Sequence, residues 1–419
     1  MNDKPFPSGA SIAIVGAGII GVASAFELSR RGYQVTVYDD SPVGEGGPSI
    51  ANAGHVVGSD IYPLSTPGIH WKALKMLMNA DAPLKIPLRD ALAQIPWFWG
   101  FWRTSQGKRF LTATQALSYL SNHALTDVQT MFESANMADK VTLKSCAFLY
   151  DTEASFNASQ ASWAEKITIG IDSDPMTEAQ IRSQIPLVSD DFKLGVLSHN
   201  WAIVSDPLEV VQSLSEASKV NGVEFKSTRI ENLHELKDSV QLQTTAGWFN
   251  HDGVIIAAGV HSKKIAQKCG DFLPVTAERG YNITLPTPEK VLQRPLVFAD
   301  RGIVATQLSS GLRIGGWAEY APSHRPANQA YFKSIARISA ELFPATNFEN
   351  AKFWMGSRPS MPDSVPVISK SAKSKRIFYN CGHGHYGLSF AASSARILGD
   401  LISGENFDNA YHYYSIRRF

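Results

Sequence analysis

The chain has 419 residues, enough for two domains or one large domain with insertions. Its 39 basic and 38 acidic residues leave a formal charge of +1, which argues against a nucleic-acid partner and for small molecules. Cys146, Cys269 and Cys381 lie far apart and form neither a disulfide framework nor a metal spacing, as expected of a reducing compartment.

The opening residues lack a signal-peptide pattern, and no apolar run approaches the ~20 residues of a membrane span. A cytoplasmic chain, soluble or peripheral on a membrane, is the expectation. Residues 11–15 read as an apolar strand, and the glycines that follow fall at Gly16, Gly18 and Gly21. That spacing turns a strand tightly into a helix, lets backbone N–H groups approach a pyrophosphate and packs helix on sheet. Residues 19–30 have helical periodicity and 33–38 form a second β-branched strand, which completes a βαβ unit. Asp39 ends that strand where a carboxylate can bond a ribose 2′-hydroxyl, with Asp40 beside it. Up to this point NAD and FAD remain equally good ligands.

Residues 41–67 are rich in Gly, Pro, Ser and Asn, and a loop of that length is usually functional. Successive helices are expected over 69–137, separated at Pro83, Pro87 and Pro96. The aromatic run over 95–102 suits a core or pocket lining better than a membrane interface. A strand is expected over 146–150, a helix over 177–184, and a helix from Asp206 as N-cap with Pro207 at its first position. After a strand at 223–226 and a hairpin over 240–250, residues 253–259 read as a buried strand ending in Ala258 and Gly259, where ligands gather in an open α/β sheet. Residues 302–305 and 312–319 flank a turn as an antiparallel hairpin. A last strand at 376–380 leads into a second glycine-rich turn, then an apolar helix to about 403. The basic run of Lys370, Lys373, Lys375 and Arg376 reads as a solvated loop, with anionic lipid as the alternative.

Several motifs in one order carry a resemblance: Gly16-Ala-Gly-Ile-Ile-Gly21, Ser49-Ile-Ala-Asn-Ala-Gly-His55, the segment beginning Pro67-Gly-Ile-His, Arg313-Ile-Gly-Gly-Trp-Ala-Glu319, Gly356-Ser-Arg-Pro-Ser-Met-Pro-Asp363 and Gly382-His-Gly-His385. Together they resemble the FAD-dependent D-amino-acid dehydrogenases of the D-amino-acid oxidase and glycine oxidase superfamily. The resemblance implies an α/β chain with a Rossmann-type FAD-binding domain over 1–60, 200–274 and 350–419. An interleaved α+β substrate domain over 61–199 and 275–349 would carry a mostly antiparallel sheet and a helical insertion. Two glycine-rich strand-to-helix turns, one near each end, suit a single long ligand.

By resemblance the FAD contacts are Gly16, Gly18, Ile19, Ile20, Gly21, Asp39 and Asp40, the loop Ser49, Ala51, Asn52, Ala53, Gly54 and His55, Ala258 and Gly259, and the turn Gly382, His383, Gly384, His385, Gly387, Leu388 and Ser389. Arg358 would anchor the substrate carboxylate, with an internal salt bridge to Asp363 or another acid as the alternative. Tyr281 would add a second carboxylate contact, or simply pack in its sheet. His55 would hold water or receive the ammonium proton, and His383 would contact flavin or substrate. No metal is expected.

The implied reaction is oxidation of a D-amino acid at Cα–N by hydride transfer to flavin N5, giving an imino acid and then a 2-oxo acid and ammonia. Electrons would pass to a quinone or another acceptor, with peripheral contact on the inner membrane face. His385-Tyr-Gly387 departs from the single histidine and Thr-Leu-Gly common in the family, and Ser364 replaces a frequent glycine. That departure keeps cyclic substrates such as cis-4-hydroxy-D-proline or D-proline as an alternative. A nicotinamide-dependent dehydrogenase and a non-catalytic flavin-binding protein are the competing classes.

Overall fold

The computed structural model describes residues 6–69, 84–287, 291–404 and 408–419. In chain order the elements that build the site are β1 (Ser11–Val15), α1 (Ile19–Arg30), β2 (Gln34–Asp39), α2 (Leu88–Thr104), α3 (Gly107–Ser134), α4 (Pro207–Val220), β3 (Glu224–Ser227) and β4 (Gly253–Ile256). They continue with β5 (Thr276–Leu285), β6 (Ile303–Leu308), β7 (Gly311–Tyr320), α5 (Gln329–Leu342), β8 (Lys352–Ser360), β9 (Val367–Lys370), β10 (Ile377–Cys381) and α6 (Gly387–Ser403).

A six-stranded sheet runs β3-β2-β1-β4-β10-β9, parallel except for the antiparallel edge strand β9. Its inner strands are apolar because both faces are covered: Ile12, Ile14, Val254, Ile255 and Ile256 are fully buried beneath helices that include α1 and α6. Register aligns Val15 with Ile256 and Ile256 with Tyr379. The turns that follow β1, β4 and β10 therefore leave the sheet at one edge, where ligands of open α/β sheets bind.

The second sheet has nine strands. Its β8-β5-β7-β6 part is antiparallel, and it continues through Leu296–Phe298, Cys146–Tyr150, Leu194–Ser198 and Ser173–Met176. Only the pairings of Leu296–Phe298 with Cys146–Tyr150, and of Leu84–Lys85 with β7, are parallel among those described. Successive residues of a strand point to opposite faces. In β5 this sends Tyr281 and Ile283 into a core shared with Phe332, Ile335 and Leu342 of α5, and turns Glu278, Gly280 and Asn282 the other way.

Pro96 does not separate helices as its chemistry suggests. It lies inside α2, while Pro87 serves as that helix's N-cap and Pro83 falls outside the described residues. An interior proline forfeits one backbone hydrogen bond. Packing of the next residue offsets it: Trp97 is 7% exposed, lies 4.9 Å from the ring of Tyr320 and donates to Ser360 O at 3.2 Å.

Candidate active site

One cavity of about 1590 Å³ joins the carboxyl edge of the first sheet to the face of the second. At the first end, Gly16 has φ +113°, and a Cβ there would stand 2.5 Å from Ala257 O. A Cβ on Gly21 would stand 1.9 Å from Gly16 O, so the third glycine seats α1 on its turn and does not reach the cavity. Gly18 caps α1 without a side chain of its own, so the positive end of the helix borders the cavity, with Ser49 the side chain that meets its first N–H. Asp39, at the end of β2, lines the cavity and ties the turn together: its Oδ2 accepts from Ala17 N at 2.7 Å and its Oδ1 from Ser41 N at 2.9 Å. Asp40 stands beside it, 3.9 Å from Arg229 Nε.

The loop after β2 runs along the cavity. Ser49 Oγ accepts from Ile19 N at 3.0 Å, and Ala51 O accepts from Asn282 Nδ2 at 2.7 Å, which ties the loop to α1 and to the second sheet. Ala53, Asn52 and His55 line the cavity, whereas Gly54 does not: it packs beneath Leu308. Ala258 and Gly259 line it after β4, and so do Gly382, His383, Gly384, His385, Gly387, Leu388 and Ser389 after β10. Ser389 Oγ also accepts from Val57 N at 3.0 Å. The start of α6 likewise has no side-chain cap, so two helix N-termini open on one elongated cavity. A long dinucleotide with a pyrophosphate near α1 and an electron-rich ring near α6 fits this frame, and the side-chain Oδ1 of Asn282 adds a buried acceptor that bonds no described residue.

The other end is organised by Arg358. It stands on β8 opposite Glu278 of β5, and its Nη1 donates to Glu278 Oε1 and to Trp317 O, both at 2.9 Å. Trp317 offers that carbonyl because β7 bulges: Trp317 and Ala318 together face Gly280, and Trp317 adopts φ +62°. Gly280 is the floor beneath the guanidinium, since a Cβ there would lie 2.3 Å from Arg358 Nη2. Glu278 is fully buried and also bonds Ser360 Oγ at 2.8 Å, Tyr320 OH at 3.3 Å and His385 Nε2. Burial alone would raise its carboxyl pKa, but His385, the Arg358 guanidinium and Ser360 hold it well below the usual carboxylate range. Phe98, Phe101 and Trp102 of α2 line the cavity beside this cluster, so the aromatic run is largely wall, as expected.

One assignment from sequence changes. Tyr281 is 1% exposed and faces α5, where its hydroxyl donates to Glu319 at 2.6 Å and accepts from Asn328 N at 3.2 Å. It cannot present that hydroxyl to a carboxylate held by Arg358, because the alternation of β5 points it away. His383 is 2% exposed, with Nε2 on Ser394 Oγ at 2.8 Å inside α6, and burial pushes its imidazole pKa down to about 3. It still borders the cavity beside Gly382 and Gly384, with that nitrogen held by the helix. His55 does line the cavity, but its Nε2 is taken by Thr306 Oγ1, its ring stands edge-on to Trp201 at 5.2 Å, and burial lowers its pKa to about 3. Asp363, one expected partner for Arg358, instead pairs with Arg418 at 2.7 Å.

A family model described as FAD dependent oxidoreductase matches residues 11–401. The chain belongs to that family. As an FAD-dependent oxidoreductase, it carries FAD as its cofactor. It is 27% identical over 99% of its length to a D-amino-acid oxidase of Bradyrhizobium diazoefficiens, all of which is covered. It is 30% identical to a D-amino acid dehydrogenase of Cereibacter sphaeroides, over 94% of this chain and 92% of that one. Among solved structures, glycine oxidase from Geobacillus kaustophilus has the same fold with a TM-score of 0.76 at 18% identity, covering 98% of this chain and 99% of that one. L-proline dehydrogenase from P. horikoshii gives a TM-score of 0.76 at 16% identity, over 99% and 98%.

Sequence reading misses Glu278, Gly280 and Trp317. The signal for the first two lies in the period-2 pattern of residues 276–285, which puts Glu278, Gly280 and Asn282 on one face. Nothing in the sequence marks the bulge at Trp317, because non-glycine residues seldom adopt positive φ.

Proposed function

We propose that this FAD-dependent oxidoreductase is a D-amino-acid dehydrogenase that oxidises its substrate at Cα–N. The observation that carries the proposal is Arg358, a guanidinium whose Nη1 is fixed by Glu278 and Trp317 at the far end of the FAD cavity. A planar fork held in this way suits a carboxylate, and orientation by that anchor supplies much of the rate. Bound FAD supplies the acceptor for the hydride that leaves Cα. The chain's own part is to hold the carboxylate, exclude water behind Phe98, Phe101 and Trp102, and provide a place for the ammonium proton. The product of a primary D-amino acid is an imino acid that hydrolyses to a 2-oxo acid and ammonia.

We assign residues 1–60, 200–274 and 350–419 to holding FAD and residues 61–199 and 275–349 to the substrate side, with β8 carrying Arg358 across into the second sheet. A quinone, or another acceptor, takes the electrons. No helix among the described residues is long and apolar enough to cross a membrane. Exposed Leu92, Ile95 and Trp99 on α2 support peripheral contact with the inner face of the cell membrane. A cyclic substrate such as cis-4-hydroxy-D-proline or D-proline is the second reading, favoured by the second histidine of the Gly382-His-Gly-His385 turn. Anaerobic mixing of holoprotein with D-alanine, D-phenylalanine, D-proline and cis-4-hydroxy-D-proline tests both. Bleaching of the flavin by the primary amines supports the first reading, bleaching by the cyclic pair alone supports the second, and no bleaching refutes both.

A further inference from the structure

We infer that His385 is the catalytic residue that takes the proton from the substrate ammonium, with Glu278 behind it as the residue that positions it. This rests on the amino-acid dehydrogenase reading above. Hydride can leave Cα only when the amine carries a lone pair, so an ammonium must first lose a proton. Among the described residues that line the substrate end, His385 has the geometry to accept it.

An ionised carboxylate can only accept hydrogen bonds, so the bond between Glu278 Oε1 and His385 Nε2 fixes the proton of neutral His385 on Nε2. Nδ1 then carries the lone pair. It bonds no described residue, and the ring, 35% exposed, lines the cavity. Arg358 Nη1 meets the same Glu278 oxygen at 2.9 Å, so the carboxylate anchor and the proton acceptor flank one atom. An α-amino acid has the same layout, a carboxylate and an amine on one carbon.

The charges balance throughout. Before transfer, Arg358 pairs with the substrate carboxylate and Glu278, and the step uses His385 with its proton on Nε2 and its lone pair on Nδ1. The ammonium N–H bond breaks, its electron pair stays on nitrogen, and the proton forms an N–H bond at Nδ1. The resulting imidazolium is paired with Glu278, so no charge is left without a partner. The other titratable groups around this pair are Arg358 on β8 and Tyr320 on β7, both bonded to Glu278, and Tyr386, whose ring centre stands 6.3 Å from that of His385. His55 lacks such a counter-charge, since Thr306 and Trp201 surround it.

The test uses holoenzyme with a D-amino acid that bleaches its flavin, comparing wild type with His385→Asn and His385→Gln from pH 6 to 10. The expected result is flavin reduction slower by about 10²-fold at pH 7 in both variants, recovering as rising pH deprotonates the ammonium in solution. Benzoate, a carboxylate without an amine, should perturb the flavin spectrum at wild-type concentrations, because Arg358 is untouched. Wild-type rates and pH profile in the variants overturn the inference. A loss of equal size at every pH also overturns it, because it assigns His385 a packing role only. Failure of every amino acid to bleach wild-type flavin refutes the functional reading itself and is a distinct result.

Discussion

Gly280→Ala isolates the placement of Arg358 from its chemistry. The added Cβ would lie 2.3 Å from Arg358 Nη2, 2.4 Å from Cζ and 2.8 Å from Nη1. Ordinary carbon contacts need about 3.5 Å or more, so the guanidinium must shift by about 1 Å. The backbone at Gly280 is not in the left-handed region, so alanine itself is tolerated there. A shift of that size strains the two 2.9 Å bonds from Nη1 to Glu278 and Trp317 O. Hydrogen bonds to charged groups are worth about 1.5–3 kcal/mol each, and a loss at the upper end of that range is about 10²-fold in affinity. Glu278 keeps Ser360 and His385, so the fold should survive. The expected outcome is benzoate affinity weakened about 10²-fold, with flavin content unchanged. Titration of the flavin absorbance measures both. Unchanged benzoate affinity in Gly280→Ala would refute the claim that Arg358, held over Gly280, binds the carboxylate.

Arg358→Ala should raise the apparent KM strongly while leaving FAD bound; loss of flavin and unfolding would instead make its pairing with Glu278 structural. Gly21→Ala should release FAD or prevent folding, because its Cβ would stand 1.9 Å from Gly16 O; a purified, fully yellow variant would contradict the packing of α1 on its turn. Acid should destabilise the protein early. Burial lowers the His383 imidazole to about 3 and the His251 imidazole to about 4, whereas the unfolded chain protonates near ~6.5. Between those values the unfolded state binds more protons, so stability drops as the pH is lowered, by up to ~1.4 kcal/mol per unit for each group. Thermal unfolding at pH 7, 6 and 5 checks this, and an unchanged Tm over that range would contradict it.

The first glycine turn was legible because its chemistry is local: strand, spacing and helix all lie within residues 11–39. The same holds for the helix at Asp206, whose Oδ1 accepts from Leu208 N at 2.9 Å, and for the hairpin of β6 and β7. Arg358 was legible only through a motif, and its partner was not. Glu278 lies 80 residues away, and that pairing is made by register between β5 and β8. Tyr281 misled because a polar aromatic beside Gly280 reads the same on either face of a strand; a single-residue step decides whether it meets substrate or core. His383 and His385 both border the cavity, yet they differ in partner, one bonded to Ser394 within α6 and the other to Glu278 across the second sheet.

The most direct test is a single turnover of anaerobic holoprotein with the D- and L-forms of one amino acid in separate mixes. The D-form should bleach the flavin and yield one imino acid, or its 2-oxo acid, per flavin reduced. Faster bleaching by the L-form, or none by either form across the panel, would contradict a D-amino-acid dehydrogenase.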